Sequence, residues 1–213
     1  MSACASYCNL AYFSCQQYSK RTNLKLGNAA LGNRDVPRLQ NASCAQCGSV
    51  VGILETYTKS VRLFKWQLRC RTLHPVQAPT ATECLAAALM ATMSRSGSAK
   101  VMVLPISEGE LPSASEEALH LWILNSNITY ASTEAAGQVR TAIKLYYRVM
   151  DRSEADKLLD PVASDIQDLA LAEEALKDTI SRLELSNQLL PEEQRRHQHW
   201  KVGLLDRYEK DIS

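Results

Sequence analysis

The thiols of Cys44-Ala-Gln-Cys47, followed at once by Gly48, are the residues whose type and spacing most directly suggest chemistry. Two cysteines separated by two residues put both sulfurs on one side of a knuckle, and a glycine there takes the left-handed backbone that lets the chain reverse. Such a pair is half of a zinc site, a redox dithiol, or a tight hairpin whose small cysteines pack inside. Structural zinc closes a tetrahedral shell, so two further ligands are needed. The nearest candidates are Cys70 and His74. Folded back toward the knuckle, they give a set of Cys44, Cys47, Cys70 and His74, although the gap between the two pairs is longer than in common fingers. Cys4, Cys8 and Cys15 have spacings that match no compact knuckle. Unligated thiols are the plainer reading. A redox use of Cys44 and Cys47 lacks the βαβ context of thioredoxin-like proteins.

A nucleophilic cysteine needs a nearby base, cation or helix N-terminus to lower its thiol pKa. Cys84 falls in the first turn of a helix announced by the capping box Thr80-x-x-Glu83, where the partial positive charge favours a thiolate. A small core residue is the commoner role for a cysteine beside Leu85. His197 and His199 lie in a polar stretch and His120 in an apolar one, with no triad logic evident, so surface or supporting roles are expected. Arg195, Arg196 and Lys201 form a small basic cluster largely offset by Glu192 and Glu193, which reads as a solvated face. The sequence holds no glycine-rich phosphate loop, no HExxH and no GxSxG.

These residues must be held by an α+β arrangement: a mainly antiparallel sheet with helices packed on one face and a C-terminal helical region. Leu10, Tyr12 and Phe13 suggest a short N-terminal strand, and residues 19–43 a polar loop. Phe64, Trp66 and Leu68 alternate with Lys65 and Gln67 as in a strand. A helix is expected over Cys84–Met93, ending before Gly97, and a strand over Lys100–Leu104. Leu119–Leu124 reads as a strand buried on both faces, with a turn at Asn125–Asn127 and Ile128–Ala131 pairing back. Val139–Met150 favours a strand. Leu176, Ile180 and Leu183 mark one face of a helix over Ala172–Leu190, and the tail from Lys201 fits a strand or a helix. Residues 1–40 are expected to be a partly ordered segment and residues 41–213 the domain.

Composition narrows the functional classes. The chain has 213 residues, 46% of them hydrophobic, enough for a sizeable core without disulfides. Lys and Arg total 24 against 23 Asp and Glu, for a formal net charge of +1, so no global field draws nucleic acid or an anionic membrane. No apolar run approaches the roughly 18 residues of a membrane span. The opening MSACASYCNLAYFSC lacks a basic start and a continuous apolar core, and the cysteine count of 7 is odd, which points to a reducing compartment, cytoplasmic or nuclear. Residues alone lead to an interaction module with a metal knuckle as its candidate site.

Several stretches, taken in order, add a resemblance. They are Cys44–Gly52 followed by Arg62–Leu68, the helix Glu83–Leu89, Leu119–Ser132, Ala142–Val149, and Ser186–Tyr208 with its Leu-Leu-Pro turn and Trp-x-Val-Gly-Leu-Leu ending. Together they resemble the HECT-like ubiquitin ligases that bind ubiquitin-conjugating enzymes. The resemblance implies a protein that takes ubiquitin from a conjugating enzyme onto a cysteine and passes it to a lysine of a protein substrate or of itself. Cys84 and Cys47 are the candidates for that thioester role. Two departures accompany the resemblance. The Thr-Cys-Phe-like segment of authentic HECT C-lobes is absent. The family also implies a further N-terminal portion with its own Cys-x-x-Cys, of which only Tyr7–Cys15 stands here, so the chain is expected to be a fragment or the product of a shortened gene model.

Overall fold

The structure is a computed structural model that describes residues 12–15, 24–26, 39–45, 47–55, 60–68, 78–106, 116–131, 139–159 and 165–208. The strands are β1 (Tyr12–Cys15), β2 (Leu24–Leu26), β3 (Leu39–Cys44), β4 (Val50–Glu55) and β5 (Ser60–Phe64), followed by helix α1 (Ala81–Ser96). Then come β6 (Lys100–Pro105), β7 (Glu117–Ala131), β8 (Val139–Asp151), α2 (Arg152–Leu158), β9 (Gln167–Leu171), α3 (Glu173–Gln188), β10 (Arg196–His197) and β11 (Trp200–Asp206). Two sheets form where one was expected. The smaller has the order β1-β5-β4-β3-β2 and the larger β10-β11-β8-β7-β6-β9. Among the described residues every pairing is antiparallel except β6 with β9.

Period-two alternation divides the larger sheet into two chemically different faces. Leu119, Leu121 and Ile123 of β7 and Ile143, Leu145 and Tyr147 of β8 point to one side, where Leu85 and Leu89 of α1 and Leu176 and Leu183 of α3 complete the main core. The intervening residues turn the other way. Met102, Leu104, Ala118 and Met150 are covered there by Ala155 of α2. Among the described residues the helices therefore occupy both faces, α1 and α3 on one and α2 on the other, because α2 follows β8 directly and folds over its Met150 end.

Local signals explain the ends of α1. The Glu83 N–H donates to Thr80 Oγ1 at 3.2 Å and the Thr80 N–H to Glu83 Oε2 at 2.7 Å, so the expected capping box is formed. Gly97 caps the C-terminal end, its N–H donating to Met93 O at 2.9 Å.

Four expectations are corrected. Residues 19–43, expected as a polar loop, hold β2 and most of β3, which pair with each other and, through β3, with β4. The strand through Trp66 stops at Phe64, and Lys65–Gln67 form a 3-10 turn that stacks Trp66 on Phe64, centroids 4.7 Å apart, and packs Trp66 against the main core. The turn at Asn125–Asn127 does not reverse the chain. β7 runs on to Ala131, with register shifts at Ile123/Asn125 and Asn125/Ile128 that absorb the polar residues as irregularities beside β8. Asn125 Oδ1 accepts the Asn127 N–H at 3.0 Å, and Asn127 Oδ1 accepts from Arg207 at 2.8 Å. Finally, the C-terminal region holds α3 but closes in strands. A hairpin through Gln198, φ 53°, returns the chain as β11, whose Gly203 and Leu205 face the helices while Trp200, Val202 and Leu204 face away. The end of α3 pins β11: Asn187 Nδ2 donates to Val202 O at 2.7 Å, and Ser186 Oγ accepts the Leu204 N–H at 2.9 Å.

Candidate functional site

The Cys44–Cys47 knuckle is the tip of the β3–β4 hairpin. Gly48 has φ 76°, the left-handed value expected of it, and its N–H donates to Cys44 O at 2.9 Å while the Cys44 N–H donates to Ser49 O at 2.8 Å. Cys44 is half-buried and Cys47 exposed. Cys47 Sγ lies 3.3 Å from Ser49 Oγ. Hydrogen bonds from the Ser49 side chain and backbone, and then from Cys44, hold the Cys47 thiol below its ordinary pKa. The knuckle thus presents one accessible, acidified sulfur.

Cys84 has the opposite environment. It is buried on the inner side of α1, and burial pushes its thiol up to about 11; Lys65 opposes that shift and Glu83 adds to it. The thiolate expected from the helix start is not favoured there, because desolvation outweighs the partial charge of the first turn. Cys84 and the knuckle stand in separate settings, one buried on α1 and the other at the tip of the β3–β4 hairpin. Cys70 and His74, the other proposed zinc ligands, lie outside the described residues, as do Cys4 and Cys8. Among the described residues no group of three or more His, Cys, Asp or Glu is arranged to hold a metal ion.

A second cluster stands on the sheet face turned away from α1 and α3. Trp122 of β7 and Tyr146 of β8 are cross-strand partners with centroids 5.7 Å apart, and Trp200 of β11 lies 6.1 Å from Trp122. His197 of β10 stacks on Tyr146 at 5.5 Å and 11°. His120 lies edge-on beneath Trp200, buried, and is pushed down to about 4 by burial and then by Arg148 and Lys100. Lys100 Nζ sits 5.6 Å from the Trp122 ring centroid and pairs with Asp165 at 3.1 Å. Arg148 pairs with Glu154.

Spacing along the chain does not reveal this cluster. The only signal is that each of four separate segments contributes a ring, and the register that joins them is set by pairings distant in sequence. A cleft of about 500 Å³ between the two sheets is lined by the Phe64–Trp66 stack on one side and by Glu116, Glu173 and Asp178 on the other. Asp178 pairs with Arg182 at 2.9 Å and Glu173 with Lys177 at 2.7 Å.

A family model described as HECT-like Ubiquitin-conjugating enzyme (E2)-binding matches residues 6–202, a span that includes the knuckle, α1, the aromatic face and the first residues of β11. Neither the curated proteins nor the solved structures contain a match.

Proposed function

The chain belongs to the family of HECT-like ubiquitin-conjugating enzyme (E2)-binding proteins, and from that premise we propose that it is a ubiquitin-protein ligase whose acceptor thiol is Cys47. The supporting observation is the exposed, acidified Cys47 on a hairpin tip, set against the buried Cys84. The Cys47 thiolate attacks the carbonyl of the ubiquitin thioester on the conjugating enzyme, and that enzyme's cysteine leaves as thiolate. The amine of a lysine, on a substrate protein or on the ligase itself, then attacks the new thioester. Cys47 leaves as thiolate, the amine loses a proton, and an isopeptide bond remains. No nucleotide takes part at this protein, and neither nucleic acid nor a membrane has a role. The protein works in the cytoplasm or nucleus.

The test is to mix the protein with a ubiquitin-charged conjugating enzyme and separate the products without reductant. A thiol-sensitive ubiquitin adduct that disappears in Cys47→Ser and persists in Cys84→Ala supports the assignment. An adduct lost only in Cys84→Ala moves the role to Cys84. No adduct or ligation across a panel of conjugating enzymes rejects the enzymatic reading and leaves a non-catalytic adaptor, which binds its partner with every cysteine replaced.

Cys44 and Cys47 have a competing use as two ligands of a zinc ion, with Cys70 and His74 as the others. Metal analysis of purified protein decides between them, since a zinc-bound Cys47 is not available as the acceptor.

A further inference from the structure

The larger sheet leaves part of one face uncovered by any described element. α2 closes the end of that face bearing Met102, Ala118 and Met150. Beyond it stand Trp122 and Tyr146, both half-buried, and His197 and His199, both exposed. The rings are already in contact with one another, so little side-chain freedom is left to lose on association. Three cations surround them: Lys100, Lys144 and Arg148. Two are tied to carboxylates that are themselves open to solvent, Asp165 at 70% and Glu154 at 52% exposure. Exposed pairs of this kind are weak, on the order of 1 kcal/mol or less, and exchange readily for other carboxylates. Lys144 has no ion pair among the described residues. Asp168, across from Met102 on β9, stands on the α2 side.

We infer that this half-face is where the ubiquitin-conjugating enzyme docks, through a surface segment that sets an apolar side chain against Trp122 and Tyr146 and carboxylates against Lys144 and Arg148. The inference rests on the family reading for the identity of the partner; the composition and charge of the face supply the rest. Clustered Trp, Tyr and Arg are the side chains that dominate protein interfaces, and Lys144, unpaired among the described residues, beside two exchangeable cations complements an acidic rim. A single-stranded nucleic acid fits less well. Bases need open ring faces, whereas His197 covers Tyr146 and Lys100 sits against Trp122.

The test titrates the full chain against a panel of purified ubiquitin-conjugating enzymes at low and at high salt. For an enzyme that the unaltered protein binds, Trp122→Ala, Lys144→Glu and His197→Glu should each lower affinity at least tenfold. The Lys144→Glu loss should shrink in high salt, and Leu185→Glu on α3, at a site 63% exposed, should change affinity less than twofold. His197→Glu alters an exposed strand tip and keeps the test decisive should Trp122→Ala fail to fold. Unchanged affinity in Lys144→Glu and His197→Glu, or a loss only in Leu185→Glu, overturns the docking site while leaving the family reading intact. Displacement of the bound enzyme by a single-stranded oligonucleotide overturns the assigned occupant. No binding by the unaltered protein to any member of the panel sinks the assignment of a conjugating enzyme as its partner, and the docking site with it.

Discussion

His120 lies edge-on to Trp200, ring centroids 4.8 Å apart and planes at 66°, and its Nε2 is buried without a hydrogen-bond partner among the described residues. Facing it are Arg148 and Lys100, which lower its pKa after burial has done so, with His199 adding to that effect and Asp165 opposing it. A neutral imidazole suits this setting and a charged one does not.

Stability should therefore fall in mild acid. The folded imidazole titrates at about 4, below the unfolded value of about 6.5. As pH drops from about 6.5 toward about 4, the unfolded chain takes up a proton that the folded one refuses, and folding loses free energy throughout that window. Between pH 7 and pH 5 the loss from this one group is about 2 kcal/mol. Urea unfolding at the two pH values measures it, and His120→Phe, which keeps a ring under Trp200, should remove that part of the difference.

Tyr147 should tolerate loss of its hydroxyl. Its ring is buried in the main core and its Oη is buried with no partner among the described residues. A buried group left without a hydrogen bond costs about 1–3 kcal/mol. Tyr147→Phe should raise the urea midpoint at unchanged slope, and a lowered midpoint would mean that the hydroxyl has a partner after all.

Gly203→Ala should destabilise. A Cβ there would lie 2.9 Å from Leu183 Cδ2 and 3.2 Å from two carbons of the Tyr147 ring, so these buried side chains must give way. Overpacking of this kind costs about 1–3 kcal/mol. Thermal melting reads it, and Leu183→Ala in the same chain should recover part of the loss by making room.

The two candidate thiols should separate by rate. Under native conditions an alkylating reagent followed by peptide mass analysis should label Cys47 rapidly, and Cys84 only as fast as the fold opens. Equal rates would contradict the burial of Cys84.

The elements written in local signals were legible in the sequence. Thr80 and Glu83 announce the start of α1, Gly48 announces the reversal after Cys47, and Leu176, Ile180 and Leu183 give the inward stripe of α3. Signals that depend on partners were not. Asn125, Ser126 and Asn127 have turn chemistry, yet β8 alongside holds them in a long irregular strand. The run Leu119–Leu124 looks apolar on both sides because the reverse face is aromatic rather than polar. That Trp122, Tyr146 and Trp200 meet follows from which strands pair, and single-sequence spacing carries no record of it. For Cys84 the helix cap and the place beside Leu85 were both visible, and it was the burial that decided the sign of its shift.

β8 lies between β7, made just before it, and β11, made only after α2, β9, α3 and β10. On the ribosome, its outer row of amides and carbonyls must wait for Trp200–Asp206 to emerge, and distant pairings of this sort are slow to form. A premature stop or a proteolytic nick just upstream of Trp200 would strand that row open, ready to recruit another nascent chain. Lesions there should show up as missing protein in the cell, cleared or aggregated, before any change in partner binding could be measured.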